Sequence, residues 1–547
     1  MSLKSNSATQ ENALQQFIEK YREEILGSLS GFDRLVFRAA PRRLQQSYWD
    51  AGRQIRVAQG MEEYLWQNHI HFKDYGAHVQ QVSRLVKEQF LKPFEERKLP
   101  IVFLRDPSVD KDRMARELAA QNRIESGLVC ALSVMEPSPT FEYIKSKIAV
   151  RVRPCHVFYQ YQKHPQVGWM YARVQSWFPF NMQVGMNGRE WLARQMGLHG
   201  LQYAQRDNCF AWIEDYGKAQ ELLEEQLETN WPELLSGFAL QLNPLHEEIF
   251  QRFPTENYWT CYQCEWATDV VFRRAEFLKR LMRVLVPHGM LSFSSTDVLR
   301  YFGKRVTKAG EIPERFNGEL QTNLKQYREG ERVKFRLQGN SAKFYDKVYT
   351  ELGSVLRAAE TTINNVAVFQ SYRAKQGGPS DQLKWRQMRK GVADLHSRAE
   401  VSQRVNNRLM NAFAGLDDSR RLEELMADLQ QPTYWNKRRV RALRPFADDH
   451  PLLAVINRGD FLINGFRNRD LQALLYQEPA NSPQEKRRRS AAISRKLRML
   501  RAHKIIHKKG STRAYQVAPE ARTILVAILT AARTSLHQIN ELQKAAA

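Results

Sequence analysis

The chain of 547 residues holds 83 Lys and Arg against 59 Asp and Glu, a net charge of +24, and 43% of it is hydrophobic. That composition excludes a disordered chain, because there is apolar material for a sizeable core, and the cationic excess favours a polyanionic partner. No run of about 18 apolar residues occurs and the first twelve residues are polar, so neither a spanning helix nor a signal peptide is expected.

In chain order, Leu14, Phe17, Ile18, Tyr21, Ile25 and Leu29 recur near helical spacing and predict a helix over 10–29. The apolar run 32–37 reads as a strand interrupted by Asp33. Helices are expected over 43–68, 77–97 and 110–122, and short strands over 101–104 and 127–135. Segment 147–186 is dense in β-branched and aromatic residues and is punctuated by His164-Pro165 and Phe178-Pro179, which predicts an antiparallel meander. Helices follow over 189–196, 217–252, 266–286 and 297–301. Residues 333–337 and 342–345 flank Gln338-Gly339-Asn340 and form a hairpin, and 355–363 is a third strand. Residues 376–381 read as a loop. From there to about 430 the chain reads as charged helix. Residues 431–451 contain Pro432, Pro445 and Pro451 with Lys437, Arg438, Arg439, Arg441 and Arg444, and read as a basic linker.

Charge concentrates near the C-terminus. Between Lys486 and Arg513 there are twelve Lys and Arg and no Asp or Glu, half of the whole excess. Around this stretch the pattern predicts a lead strand at 460–464, a helix over 469–476, a long helix over 490–503 with Ile493, Leu497 and Leu500 buried, a strand entered at 504–506, a turn at 510–512, a return strand at 514–517 and a closing helix over 520–532. The pattern Ile493-Ser494-Arg495-Lys496-Leu497, Leu500, His503-Lys504-Ile505-Ile506 and Tyr515-Gln516-Val517 resembles the winged-helix domains of MarR-type regulators over about 70 residues. In that family the corresponding helix enters the major groove and the wing touches the backbone. The expected nucleic-acid-binding residues are Arg487, Arg488, Arg489, Ser494, Arg495, Lys496, Arg498 and Arg501 on the helix, with Lys508, Lys509 and Arg513 on the wing. DNA is preferred to RNA as the ligand. A solvated basic face is the plain alternative, but such faces normally mix signs.

In the preceding body, Tyr345-Asp346-Lys347 followed by Arg357 and Glu360 resembles part of rolling-circle replication initiators and related mobile-element nucleases. The resemblance implies Asp346 and Glu360 as metal ligands, Lys347 as an electrostatic helper and Tyr345 as the nucleophile. Carboxylates suit a hard cation that polarises a phosphodiester. Asp33, costly to bury inside an apolar strand, is a third candidate ligand, and the ion would be Mg2+ or Mn2+. Ion pairing of these carboxylates with Lys347 or Arg357 is the structural alternative. The His-hydrophobic-His motif of such enzymes has no convincing counterpart, since His69-Ile70-His71 follows a helix. Cys261-Tyr262-Gln263-Cys264 has the spacing of half a zinc site, with His246 and His288 the nearest partners. The aromatics of 156–180 fit either a base-stacking platform or a core. The five cysteines are odd in number and scattered, as in a reduced cytoplasmic protein.

The expected fold class is α+β: a large mixed body over 1–430 with an antiparallel sheet and many helices, the linker 431–451, and the C-terminal winged-helix domain over 452–547. The layout also resembles an uncharacterised family of bacterial proteins, which implies a bacterial cytoplasmic setting. A DNA-binding protein, with metal-dependent nuclease or strand-transfer activity in the body, is one functional expectation. A non-enzymatic regulator or scaffold, or an RNA-binding ribonucleoprotein component, is the other. No membrane partner is expected.

Overall fold

The computed structural model describes residues 12–43, 57–291, 295–304, 318–327, 330–348, 353–374, 382–413, 422–458, 461, 465–476, 478–508 and 513–535. It is an α+β protein in two compact units, each assembled from separated stretches of chain: 25–273 with 349–403, and 1–24 with 274–348 and 404–547. Its strands are β1 (Ile25–Arg43), β2 (Ile101–Leu104), β3 (Gly127–Ile144), β4 (Lys147–His164), β5 (Gly168–Gln175), β6 (Met182–Asn187), β7 (Tyr203–Arg206), β8 (Cys209–Ile213), β9 (Thr255–Phe272), β10 (Leu320–Gln326), β11 (Glu331–Leu337), β12 (Asn340–Lys347), β13 (Ser354–Ile363), β14 (Gln370–Arg373), β15 (Lys384–Gln387), β16 (Thr433–Trp435), β17 (Arg438–Val440), β18 (Ile506–Lys508) and β19 (Tyr515–Val517).

The first unit is built on β13-β9-β1-β6-β5-β4-β3-β2, antiparallel except for the parallel β2–β3 pair. The expected meander is β4–β5–β6, and its aromatics are largely core: Phe158, Tyr161, Trp169, Phe178 and Phe180 are all buried. Tyr161 and Tyr171 face each other across β4 and β5 with ring centroids 5.8 Å apart, a cross-strand pair rather than a base platform. Helices Gly188–Leu198, Tyr216–Glu228 and Trp231–Leu242 bury Leu192, Leu222, Leu223, Leu235 and Phe238 in one core with Phe32, Phe37 and Met170 of the sheet.

Several helical expectations are corrected here, including the charged helix expected from the 376–381 loop to about 430, within which Lys384–Gln387 is β15 paired with β14. The N-terminal helix covers only Asn12–Lys20, and β1 begins at Ile25. The stretch Ile25-Leu-Gly-Ser-Leu-Ser-Gly31 holds two glycines and two serines, poor helix formers, and pairing with β9 overrides the apolar spacing. The helix expected over 266–286 starts only at Ala275, because Trp266–Phe272 completes β9. The helix expected from 43 begins, among the described residues, at Ala58.

In the second unit, β10–β11–β12 form an antiparallel ladder in which Arg332 faces Tyr345. Its C-terminal part runs through helix His450–Ile456, helix Asn468–Leu475, helix Pro483–Ala502, β18, β19 and helix Pro519–Arg533. An extra bridge, Phe466 with Tyr515, adds a third edge to β18–β19. The core joins Leu452, Phe466, Leu471, Ile493, Leu497, Leu500, Val517 and Ile528. It also takes in Met426, Leu429 and Leu443, so the stretch expected as a linker is folded. Within that stretch β16 and β17 form a hairpin turned by Asn436 and Lys437, both at positive φ, and Arg441 makes two 2.7 Å bonds to the buried Asp449. The prolines and basic residues suggested a linker, but Lys437 forms part of a turn and Arg441 and Arg444 make local ion pairs. The expected lead strand at 460–464, the loop at 376–381 and the turn at 510–512 fall wholly or mostly outside the described residues. Among the described residues no helix is long and apolar enough to cross a membrane.

Candidate functional site

Two features stand out: a buried charged network in the first unit and a basic surface in the second. The network arises from sheet irregularities. Phe32 pairs with Trp266 and Leu35 with Cys264, so Asp33 and Arg34 together oppose the single residue Glu265. A second bulge lies between Arg357 and Ala359 of β13, where Arg357 opposes Asp269 and Ala359 opposes Thr268. Bulges re-aim side chains out of the strict alternation of a strand. Here they accompany the placing of Asp33, Asp269, Arg357 and Glu360 together in the interior, each no more than 3% exposed. The fifth member, Arg189, enters from the helix beginning at Gly188, where a Cβ would lie 1.8 Å from the Phe32 carbonyl oxygen. Only glycine allows that approach.

Arg357 is the hub. Its Nη1 lies 2.9 Å from Asp33 Oδ2 and 3.2 Å from Glu360 Oε2, and its Nε donates to Asp269 Oδ1 at 2.6 Å. Its Nη2 also donates to Asp269 and to the Asn208 carbonyl. Arg189 donates to Asp269 Oδ2 at 2.7 Å, and Asn208 Nδ2 donates to Asp33 Oδ1 at 2.7 Å. Three buried carboxylates thus face two guanidiniums. Burial pushes the Asp33 carboxyl up, with Arg357 opposing and Glu360 adding to the rise. Asp269 is also buried, but Arg357 and Arg189 outweigh that and hold it below the usual range. Of the two aspartates, Asp33 is the one inclined to keep a proton.

The sequence candidates separate. Asp33 and Glu360 come together, and a carboxylate oxygen from each lies within 4.8 Å of one from Glu265, a residue the sequence did not single out. Asp346 belongs to the other unit and is no member of this group. It accepts from the Glu331 backbone N–H at 2.7 Å, and burial raises its pKa. Tyr345 and Lys347 are half-buried beside it on β12, and the Lys343 ammonium is 5.7 Å from the Tyr345 ring centroid. The expected Asp33–Asp346–Glu360 ligand set is thus replaced by Asp33, Glu265 and Glu360, with Arg357 already bridging two of them. Such an arrangement can store charge in the core. A metal-dependent nuclease would need its carboxylates on an open cleft, and Asp33 and Glu360 are buried.

Sequence reasoning also missed Asp269 and Arg189. Asp269 lay in the stretch read as helix, though the β-branched and aromatic run Trp266-Ala-Thr-Asp-Val-Val-Phe272 could have signalled a strand. The Cys261–Cys264 pair is buried and belongs to no metal-ligand cluster among the described residues. The His246 ring is bonded to Thr255. His69 sits in a turn with φ of 57°.

The basic surface is on helix Pro483–Ala502. Ser482 caps it, accepting from Glu485 N–H at 3.1 Å, and the Glu485 carboxylate reaches back to the Asn481 N–H. At about 100° per residue, Arg487, Arg488, Ser494, Arg495 and Arg498 fall within an arc of about 120°. All five are exposed, with the small Ala491 near the middle of the arc. The opposite side buries Ile493, Leu497 and Leu500. Three further candidates do structural work. Arg489 pairs with Glu485 at 2.6 Å and covers the Tyr476 ring. Arg501 covers the Trp435 ring at 4.7 Å. Lys496 is half-buried and helps hold the Asp449 carboxyl low. Lys508 at the end of β18 and Arg513 two residues before β19 are exposed, while Lys509 lies outside the described residues.

No protein-family model, curated protein or solved structure matches the chain. The functional reading therefore rests on the residues themselves.

Proposed function

We propose that this protein binds duplex DNA through helix Pro483–Ala502, as a regulator or scaffold. The observation that carries the reading is the exposed arc of Arg487, Arg488, Arg495 and Arg498 with Ser494, which holds no carboxylate. A helix fits the major groove, where arginine reads guanine in a fork and also neutralises phosphate. The order helix, helix, strand, strand, helix over residues 468–533 supports a winged-helix unit, and in this reading the exposed Lys508 and Arg513 contact the backbone.

Cleavage by a metal ion at Asp33, Glu265 and Glu360 is the competing reading, and their 4.8 Å grouping favours it. Burial and the Arg357 bridge weigh against it, because that guanidinium already supplies the countercharge an ion would bring. The test is titration of a fluorescent duplex with the full chain between 50 and 200 mM salt, using double-stranded RNA as competitor. Affinity should fall steeply with salt, and Arg495→Ala with Arg498→Ala should reduce the log–log slope by about 0.9 per lost phosphate contact. Salt-indifferent binding, or preference for RNA, contradicts the proposal. Plasmid nicking in Mg2+ that Glu360→Gln abolishes would favour the enzymatic reading.

A further inference from the structure

The hairpin β16–β17 carries a second cationic surface beside the basic helix, and its chemistry is left unused by the reading above. Its backbone turns at Asn436 and Lys437, with φ of 48° and 61°, the left-handed pair of a tight two-residue connection. Residues directly opposite in an antiparallel ladder point to the same face. Thr433 opposes Val440 and Trp435 opposes Arg438, while Tyr434 opposes Arg439. Thr433, Trp435 and Val440 are half-buried, and Val440 packs on the C-terminal core. Tyr434 and Arg439 therefore turn outward. Tyr434 is 70% exposed, a large aromatic ring in water with Arg439 opposite it on the same face, and Lys437 at the turn and Arg438 on the Trp435 face are exposed as well.

The Arg501–Trp435 stack ties the hairpin to the helix, and Val440 anchors it to the core. Arg501 is three residues beyond Arg498 and about 60° around the helix from it, at the edge of the exposed arc. The hairpin thus flanks the same face near the helix C-terminus.

We infer that this hairpin is a second contact for the same duplex, resting on the DNA-binding reading above. Lys437, Arg438 and Arg439 engage phosphates next to the groove that the helix enters, and the outward Tyr434 ring packs against a sugar. Charge complementarity names the occupant: three adjacent exposed cations and a free aromatic ring match a polyanion with apolar sugars, and a protein partner would need acidic groups at the same spacing.

The experiment compares three full-length proteins on one duplex over a salt series: the parent, the triple variant Lys437→Ala, Arg438→Ala, Arg439→Ala, and the helix variant Arg495→Ala, Arg498→Ala. The triple variant should bind at least tenfold more weakly near 150 mM salt and lose two to three units of slope, at about 0.9 per contact. Its footprint should shorten on one side, and Tyr434→Ala should weaken binding a few-fold with no change of slope. Unfolding temperature checks that the exposed substitutions leave the fold intact. If the helix variant is impaired and the triple variant binds like the parent, this inference fails and the DNA-binding reading stands. If the parent itself does not bind duplex, both fail.

Discussion

The Arg501 guanidinium lies 4.7 Å from the centroid of the Trp435 ring, joining the last turn of the basic helix to a hairpin more than sixty residues earlier. A cation held over an aromatic face is worth about 0.5–1 kcal/mol at a partly exposed site. A double-mutant cycle with Arg501→Ala and Trp435→Ala, followed by urea unfolding, should give a coupling of about that size. Strict additivity of the two substitutions would mean that the hairpin is held by other contacts.

Arg357 is expected to be far less replaceable than any surface arginine. Arg357→Met leaves Asp33, Asp269 and Glu360 with Arg189 as the one remaining guanidinium of the network. Breaking a buried ion pair on one side costs roughly 3–5 kcal/mol. Urea denaturation should register a loss of that order, whereas Arg487→Met should change stability by less than about 0.5 kcal/mol. An Arg357 variant as stable as the parent would show that the carboxylates have another counterion.

The two aspartates should leave opposite signatures in stability against pH. The Asp33 pKa is raised above its ordinary 3.8 in the folded state. Its contribution is complete below 3.8 and is lost as pH rises through the folded value. Asp269 is lowered from 3.8, so its contribution is present above 3.8 and is lost as pH falls through the folded value. Asp33→Asn should remove the decline on the alkaline side of 3.8, and Asp269→Asn should flatten the acid limb at a large cost in stability. These slopes are measured by urea unfolding at a series of pH values. An unaltered profile in Asp33→Asn would contradict the raised pKa.

The core of the C-terminal part implies where it can be cut. Met426, Leu429 and Leu443 are buried in it with Leu497 and Ile528. A fragment over 422–535 should unfold cooperatively, while one over 452–535 loses those three side chains and should be destabilised by several kcal/mol, at about 2–5 per large apolar group removed. Equal stability of the two fragments would place the boundary at the later residue.

What could be read from sequence alone followed local chemistry. The β4–β5–β6 meander, the β11–β12 hairpin and the long helix with Ile493, Leu497 and Leu500 inward were legible because periodicity and turn residues agreed. The N-terminal helix was extended too far because Ile25 and Leu29 happen to fall at helical spacing, although their partners are on β9, more than 200 residues away. Part of the candidate site was legible too: an Asp within an apolar strand announced a buried charge at position 33. Glu360 and the Arg357 ion pair were legible as well; Glu265, Asp269 and Arg189 were not, because the bulges that accompany their grouping are properties of strand pairing, which no single segment records. Likewise a cluster of lysines and arginines looks the same in a linker and in a folded hairpin until Trp435 has something to pack on.

The unit that carries the basic helix is stitched from stretches separated by the whole of 25–273 and of 349–403. Its N-terminal helix buries Phe17 and sets Tyr21 against Phe277 at 5.5 Å, and Glu24 pairs with Arg274. During synthesis those partners leave the ribosome about 250 residues later, a delay of roughly 12–50 s at about 5–20 residues per second. For that interval a short apolar segment waits unpaired on the nascent chain. In a polysome the nearest matching surface can belong to the chain ahead, so helix-swapped dimers joined through residues 12–24 are the characteristic misassembly this topology invites.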